Sequence, residues 1–291
     1  MSDRYIKLVF DGESSENTKI ETGIPQGSPV SPILFLIYIK FLFKKIDIDK
    51  EEFKLSIPSY MDDIAILASS RDLEMNCKIL QRIANKLIEW GLLNCIEFDK
   101  DKTELIHFYK GYIEEDKSLI LSNTTAILPK TEVKWLGIWF DRKLSFKTHI
   151  DKVLAKANRV YHQIYRLANC SKGLSFQAMR QLYTACITSI ADYGVPIWWK
   201  GQRHYLERYI KLQNSMLRKI LGAFKTSPTA AMEIEAAILP VRIRFEKICQ
   251  NYAFRAIQLD RDHPIKQRTP DSFPNSGNNI DIELDWDKYL D

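Results

Sequence analysis

The spacing of apolar residues divides the chain into a mixed first half and a helical second half. Up to residue 140, short apolar runs between turn residues predict strands, and two longer segments predict helices. Residues 33–45 are apolar around most of the helix, which indicates a deeply buried element. Asp72 is placed to cap the second helix, which is amphipathic and ends near Gly91. We therefore predict an α+β fold that begins with an antiparallel sheet and helices.

The predicted strands are short and are joined by polar turns. Residues 5–10 and 19–22 flank the turn Asp11-Gly12. Residues 133–140 are predicted as a single strand with Trp135 and Trp139 on the same side. Further strands are predicted at 96–98, 105–108, 119–121 and 126–128.

From Phe146 the apolar period becomes helical. The predicted helices cover 150–167, 176–190, 205–221 with Gly222 at the end, a segment from Thr226, and 245–257. After residue 260 the chain is rich in Asp, Asn, Pro and Ser, as is typical of a linker or disordered tail. We predict three parts, at 1–141, 142–260 and 261–291.

Two adjacent carboxylates, Asp62 and Asp63, lie between apolar flanks, a pattern that predicts a strand, a tight turn and a strand. Neighbouring carboxylates repel each other unless water, a base or a metal ion lies between them. The turn by itself is compatible with a solvated loop or with a metal site. An EF-hand calcium loop is excluded because its ligand spacing is missing.

Basic residues are concentrated in one block. Residues 142–225 contain 16 Lys or Arg against three acidic residues, whereas residues 1–141 carry 18 basic against 23 acidic residues. Such a block suits a polyanion, most commonly nucleic acid, although solvated helix faces are the alternative.

Other function classes lack support in the sequence. No apolar run reaches the roughly 18 residues of a membrane span, so we expect no membrane partner and a soluble, intracellular protein. The five cysteines are far apart and lack zinc spacing, so we expect reduced, mostly buried thiols.

Two motifs together resemble the palm of a reverse transcriptase. The first is Gly23-Ile24-Pro25-Gln26-Gly27-Ser28-Pro29 before the apolar helix, and the second is Tyr60-Met61-Asp62-Asp63. From about Tyr5 to about Pro264 the chain looks like the LINE-type, non-LTR retrotransposon enzymes. The motifs that continue this likeness are Lys102-Thr103-Glu104, Trp135-Leu136-Gly137, Tyr193-Gly194 and Trp198.

The resemblance implies an RNA-directed DNA polymerase that uses an RNA template, a DNA primer or RNA/DNA duplex, dNTP and two Mg²⁺ ions. It implies that Asp62 and Asp63 ligate Mg²⁺ and that Lys102 aids pyrophosphate departure, with a solvated charge as the alternative for Lys102. The nucleotide and template pocket would be lined by Gln26, Gly27, Ser28, Tyr60 and Met61. The primer grip would be Trp135, Leu136 and Gly137, whose tryptophan could equally pack between palm and thumb.

The resemblance is incomplete at the start of the chain. The family's palm uses an earlier strand that carries a first catalytic aspartate, but only 22 residues precede Gly23, and the predicted hairpin fills most of them. Asp3 and Asp11 are the only aspartates there. We therefore expect the C-terminal palm and thumb portion of a truncated enzyme, with weak or absent Mg²⁺ binding and no activity alone.

Two further expectations follow for partners and function. A missing N-terminal half is a candidate partner of this chain. A non-enzymatic nucleic-acid-binding protein that retains the basic thumb is the alternative function.

Overall fold

The computed structural model describes residues 4–20, 23, 27–45, 54–99, 101–109, 111, 116–121, 125–167, 173–260, 262–263 and 265–266. The chain forms two compact units, Met1–Ser145 and Phe146–Asp291, which we call unit 1 and unit 2. Unit 1 combines strand pairs with helices, and the described part of unit 2 is helical. The α+β prediction is therefore confirmed.

The strands of unit 1 form six antiparallel pairs among the described residues, and each pair has only two strands. The outer and inner pairs of the first nested hairpin are β1 (Arg4–Ile6) with β4 (Thr18–Ile20), and β2 (Val9–Phe10) with β3 (Glu13–Ser14). Those of the second are β5 (Lys54–Ser56) with β8 (Leu67–Ser69), and β6 (Ser59–Tyr60) with β7 (Asp63–Ile64). The last two pairs are β9 (Leu119–Leu121) with β10 (Thr125–Ile127), and β11 (Glu132–Trp135) with β12 (Ile138–Asp141).

Two helices, α1 (Ser31–Lys45) and α2 (Leu73–Leu93), form the centre of unit 1. The Asp72 carboxylate accepts hydrogen bonds from the Glu74 and Met75 amides, which confirms the predicted cap. Buried residues of both helices pack together in the core: Ile39, Leu42, Ile79, Ile83, Leu87 and Trp90. This cluster holds the second nested hairpin, because side chains from its strands pack against it.

The prediction that α1 is deeply buried is wrong. Only one side of α1 packs against α2 and the hairpin, and there Ile39 and Leu42 are buried. The other side exposes Ile33, Leu36, Ile37 and Phe41. The apolar composition of a helix shows that it could be buried on all sides. Whether it is buried depends on the other elements that pack around it.

Two of the predicted strands are also absent from the described residues. Residues 96–98 fold back onto α2, since the Ile96 amide donates to the Gly91 carbonyl at 2.9 Å rather than to a strand. In the segment 105–108, only Leu105 forms an isolated bridge, to Pro129. Leu105 is nevertheless buried, in a cluster with Cys77 and β9.

Residues 133–140 form a hairpin rather than the predicted single strand. Leu136 and Gly137 have φ angles of 47° and 81°, and this pair of positive values forms a tight two-residue turn between β11 and β12. In the observed register Trp139 lies opposite Lys134, and Trp135 lies opposite Ile138. The two tryptophans therefore lie on opposite faces, because adjacent positions in a strand alternate.

The helices of unit 2 follow the predicted period. They are α3 (Lys147–Leu167), α4 (Phe176–Leu182), a π-helical segment (Tyr183–Thr188), α5 (Ser189–Ala191), α6 (Val195–Trp198), α7 (Arg203–Leu221), α8 (Thr229–Glu235) and α9 (Val241–Gln258). Gly222 ends α7 with a φ of 62°, as predicted. In the core, the Trp198 ring stacks on Tyr209 and meets Phe245 edge-on.

A buried polar network joins α9 to the rest of unit 2. The Arg244 guanidinium donates to both carboxylate oxygens of Asp192, at 2.6 and 3.1 Å, and also to Gln213. The Arg244 and Asp192 side chains are only 16% and 9% exposed. The Tyr183 hydroxyl donates to Gln213 at 2.9 Å, and burial raises the pKa of Tyr183 to about 12. Burial also raises the pKa of Asp192, an effect that Arg244 opposes.

Several expectations fall on residues that are described only in part. The predicted tail at 261–291 lies almost wholly outside the described residues. Among the described cysteines Cys77 is buried, Cys186 and Cys249 are half-buried, Cys95 is exposed, and none forms a disulfide. No helix in the described ranges has the length and apolar character of a membrane span.

Substitution of Gly91 by Ala tests the packing of α2 on the segment that follows it. A Cβ at position 91 would lie 2.5 Å from the Ile96 carbonyl oxygen and 2.9 Å from the Phe98 ring. Although Ala gains about 1 kcal/mol in helix propensity, we expect Gly91→Ala to lower the free energy of unfolding by about 1–3 kcal/mol. Urea denaturation measures this change. Gly111→Ala is the control, because nothing lies within 4 Å of its Cβ, and an equal loss there would contradict the explanation.

Substitution of Arg244 by Met tests the buried network. Because the change leaves the Asp192 carboxylate buried without its cation, we expect a loss of about 3–5 kcal/mol in the free energy of unfolding. The matched control is Arg242→Met on the same helix, which removes an exposed pair with Glu246 and should cost at most about 1 kcal/mol. The midpoints of urea denaturation, followed by circular dichroism, compare the two, and equal shifts would show that burial of the pair is irrelevant.

Candidate functional site

The acidic motif forms a two-residue hairpin turn. In this turn β6 and β7 pair through Tyr60 opposite Asp63 and Ser59 opposite Ile64, so that Met61 and Asp62 make the turn itself. Met61 has a φ of 53°, a left-handed conformation that is uncommon for a residue other than Gly. Asp62 therefore lies at the tip, and Asp63 begins the returning strand opposite Tyr60.

Both carboxylates face solvent. Asp62, Asp63 and Tyr60 are exposed, and the Tyr60 side chain is 61% accessible. Within the described ranges, no Lys, Arg or His forms an ion pair with either aspartate. The turn thus presents two acidic groups whose oxygens are not neutralised by any base in the described part of the chain.

The hairpin tip rests on an anchored base. Leu55, Ile57, Ile64, Ile66 and Ala68 pack against the α1/α2 core, and the Ala65 amide donates to the Pro58 carbonyl at 2.9 Å. Because one face of the strands is fixed by apolar contacts, the carboxylates are held outside the core at a defined place.

Asp62 and Asp63 are suitable ligands for a metal ion, but two carboxylates are fewer ligands than such a site needs. Carboxylate oxygens are the ligands that Mg²⁺ prefers, and the ion takes about six ligands in near-octahedral geometry. Across the part of the chain that the structure describes, no group of three or more His, Cys, Asp or Glu side chains is placed to hold a metal ion. Asp62 and Asp63 could hold one ion with several waters, but they do not enclose two.

The predicted pocket residues before α1 are described in part. Gln26 lies outside the described residues. Gly27 has a φ of 86° and open space around its Cβ position, so the backbone conformation requires glycine there, not close packing. The Ser28 carbonyl accepts the Ser31 amide at 3.2 Å, at the first residue of α1.

Lys102 lies in an exposed turn with a local acidic partner. Its side chain is 85% exposed and its ammonium group lies 3.0 Å from the Asp99 carboxylate. The hydrogen bond from Lys102 lowers the pKa of Asp99. The Asp99 carboxylate also accepts the Asp101 and Lys102 amides, which closes the turn. The structure thus pairs Lys102 with Asp99 and describes no contact with Asp62 or Asp63.

The predicted primer-grip residues lie at the β11/β12 turn. Leu136 is half-buried and Gly137 is exposed, and both have positive φ. Trp135 is half-buried, and its indole nitrogen is buried without a hydrogen-bond partner among the described residues. A buried donor without a partner costs free energy, so this tryptophan is not placed by local hydrogen bonding.

The basic block of unit 2 forms a groove between α3 and α7. At one end Arg208 pairs with Asp151 at 2.6 Å, and at the other the Lys219 ammonium lies 4.0 Å above the Tyr165 ring centre. The space between them, of about 290 Å³, is lined by Leu154, Asn158, Arg208, Lys211, Leu212 and Ser215. We call this the α3/α7 groove.

The sequence predicted the basic block but none of these groove residues individually. Their signal was present in α7, where Arg208, Lys211, Ser215 and Lys219 recur at spacings of three or four and so share one helix face. The partner residues on α3 could not be found this way, because pairing between helices depends on tertiary packing.

The first half of the chain matches a known protein family. Residues 1–140 match the family model described as reverse transcriptase (RNA-dependent DNA polymerase). The RNA-directed DNA polymerase from mobile element jockey of Drosophila funebris is 25% identical over 251 residues, which cover 86% of this chain and 27% of that protein. No solved structure matches the chain.

Two further relatives show the same pattern of coverage. The probable RNA-directed DNA polymerase from transposon BS of Drosophila melanogaster is 25% identical over 76% of this chain and 24% of its own length. The Pol polyprotein of the type-1 retrotransposable element R1 of Bradysia coprophila, named as retrovirus-related, is 26% identical over 80% of this chain and 23% of its own length. The chain thus spans about a quarter of the length of the curated relatives it matches.

The family match covers both the acidic hairpin and the segment before α1, and the relatives are similar across most of both units. The resemblance to non-LTR retrotransposon enzymes is therefore confirmed: residues 1–140 match the reverse transcriptase (RNA-dependent DNA polymerase) family, and the relatives that cover most of the chain are enzymes of mobile elements.

Proposed function

We propose that this chain provides the acidic hairpin of the palm and the basic thumb of an RNA-directed DNA polymerase from a mobile element. The observation that carries the proposal is the position of Asp62 and Asp63. Both are exposed at the tip of a hairpin whose base is fixed to the core, inside the segment that matches the family. Such a placement supplies acidic oxygens to a ligand without unfolding any part of the core.

Asp62 and Asp63 are proposed to hold Mg²⁺, and their neighbours to shape the space beside it. Mg²⁺ bound there would stabilise negative charge on the oxygens that enter and leave during nucleotidyl transfer. Tyr60, opposite Asp63 in the hairpin, would form one wall for the nucleotide or template base. Met61 would contribute beside it, at the turn that its φ of 53° makes tight.

A catalytic centre with two ions needs a further carboxylate that faces this hairpin. Two adjacent side chains on one turn supply ligands from one direction only, whereas two octahedral ions need ligands on opposite sides. We infer that the opposing carboxylate comes from a polypeptide segment beyond the described residues, and a separate N-terminal half is the partner we propose. The chain alone is therefore proposed to bind Mg²⁺ weakly and to lack polymerase activity.

The remaining roles are proposals that rest on the resemblance. Gln26, Gly27 and Ser28 would line the pocket for dNTP and template. Trp135, Leu136 and Gly137 would form the primer grip, and the tight β11/β12 turn is a suitable shape for contact with a backbone. Lys102 would have to leave Asp99 to reach pyrophosphate, which exposed ion pairs do at little cost.

The α3/α7 groove favours a second candidate, a nucleic-acid-binding protein without catalysis. Helix α3 and helix α7 each carry five Lys or Arg and one acidic residue. The two acidic residues, Asp151 and Glu207, are already paired with Arg208 and Arg203. Within the described residues Lys211 forms no ion pair, and a phosphate contact from this side chain would carry no sequence preference.

Primer extension tests the catalytic proposal. With an RNA template, a DNA primer, dNTP and Mg²⁺, we expect the purified chain to give no extended product, because no carboxylate among the described residues is grouped with Asp62 and Asp63 to hold a metal ion. Product that depends on Mg²⁺ and disappears in Asp62→Asn would refute this.

A positive readout for the hairpin is Mn²⁺-induced broadening of its amide signals in NMR spectra. We expect broadening around Asp62 and Asp63 with a Kd of about 1 mM, as for a site with few charged ligands. The broadening should vanish in the Asp62→Asn/Asp63→Asn variant and persist in Asp141→Asn, whose carboxylate accepts the Lys143 and Ser145 amides in a separate turn.

Binding to an RNA/DNA duplex tests the second candidate. We expect affinity that falls steeply with salt, and Lys211→Ala should reduce the slope of log K against log salt by about 1. Arg242→Ala on α9 removes an exposed cation outside the groove and serves as the control, with little change expected. Fluorescence anisotropy measures both, and equal effects of the two substitutions would exclude the groove as the binding surface.

A further inference from the structure

The end of the chain contains a pattern that its polar composition hides. Residues 280–287 alternate strictly between apolar and acidic side chains. The apolar positions are Ile280, Ile282, Leu284 and Trp286, and the acidic positions are Asp281, Glu283, Asp285 and Asp287. Because successive side chains of an extended segment point to opposite faces, this sequence has one apolar face and one acidic face when extended.

We propose that residues 280–287 bind in the α3/α7 groove of unit 2 and thereby compete with nucleic acid for it. The groove is the matching surface because Arg208 and Lys211 give it positive charge, whereas Leu154 and Leu212, which also line it, are almost fully buried. The inference rests on the proposed function only in naming nucleic acid as the competing ligand. Docking of the tail itself stands on the residues of this chain.

The charges of the α3/α7 groove favour binding of the acidic tail. Asp151 is the only acidic residue on α3 and it already pairs with Arg208. Glu207, the only acidic residue on α7, pairs with Arg203. In the described part of the chain, Lys211 has no acidic group within 4 Å, and Lys219 lies over Tyr165. Four carboxylates along the tail would supply the anions that these cations lack.

The lengths of the two surfaces also correspond. Asp281 and Asp287 are six residues apart, which is about 20 Å along an extended chain. Arg208 and Lys219 are eleven residues apart, which is about 17 Å along a helix. The acidic face can therefore follow the basic face of α7 over its whole length.

The connection to the folded part is long enough. Lys266, the last described residue, precedes Ile280 by 14 residues, which span at most about 48 Å when extended. A compact unit of this size is about 35 Å across. The tail can thus reach most of the surface of unit 2, and chemical complementarity decides where it binds.

Attachment to the same chain makes a weak contact effective. A short tether gives an effective concentration of about 1 mM, so a segment with a Kd of about 0.1 mM would leave about one groove in ten free. A peptide or duplex added from outside would then bind about tenfold more weakly than to a chain with an inactive tail.

The test uses full-length chains and a labelled peptide of residues 278–291. The tail variant carries Asp281→Asn, Glu283→Gln, Asp285→Asn and Asp287→Asn. The matched control carries Glu13→Gln, Glu16→Gln, Glu89→Gln and Glu97→Gln, which neutralise four exposed carboxylates in unit 1 and change the net charge equally. Fluorescence anisotropy at low salt should show peptide binding to the tail variant about tenfold tighter than to the wild type and the control.

A groove variant and a rearranged peptide test where the tail binds and whether its alternating pattern matters. Lys211→Glu in the tail variant should abolish peptide binding, and circular dichroism would verify that it is folded. A peptide of the same composition with its acidic residues grouped together should bind at least about fivefold more weakly, because its carboxylates no longer spread along the cations of α7. Equal peptide affinity for the tail variant and the wild type, or no effect of Lys211→Glu, would overturn the proposal.

The same variants separate this inference from the proposed function. An RNA/DNA duplex should bind the tail variant about tenfold tighter than the control, which supports competition for one groove. If the peptide results hold but neither variant binds duplex, the tail occupies the groove and the proposed nucleic-acid role fails. If duplex binds both variants equally, competition is refuted.

Discussion

The need to keep two adjacent carboxylates in water, at a fixed place, determines how unit 1 is built. Neither Asp62 nor Asp63 could enter the core without a compensating cation, and the described residues provide none. The strands therefore anchor through Leu55, Ile57 and Ile64 on one side and present the acidic tip on the other. The α1/α2 core fixes the position of the hairpin, as rigid elements beneath a ligand site generally do.

Unit 2 separates its charges in a different way. One arginine, Arg244, is buried with Asp192 and satisfied by Gln213, where it fixes α9 and contributes nothing to the outer surface. On the outside of α7, Arg208 pairs with Asp151 and Lys219 lies over the Tyr165 ring. A buried arginine thus helps to specify the fold, whereas an exposed arginine helps to form a surface that can bind a polyanion.

Local features of the sequence predicted the structure well, and features that depend on distant neighbours did not. The Asp72 cap, the acidic turn and the end of α7 at Gly222 follow from short-range chemistry. The β11/β12 turn was missed because Leu136 is a common strand residue, and its positive φ is not visible in the sequence. The exposure of α1 and the pairing of Asp192 with Arg244, 52 residues apart, depend on tertiary contacts, as does the α3/α7 groove.

The strand pairs of unit 1 have a consequence for cooperativity. Every described strand has a single hydrogen-bonded neighbour, and an isolated two-stranded hairpin is only marginally stable in water. Opening one pair breaks few bonds in the others, so amides in these hairpins exchange with solvent through small local fluctuations. Helix α9 is tied by Arg244 into the centre of unit 2, so we expect its amides to exchange more slowly than those of the hairpins. The acidic hairpin thus keeps its position through the apolar side chains at its base, while the few hydrogen bonds near its tip open locally.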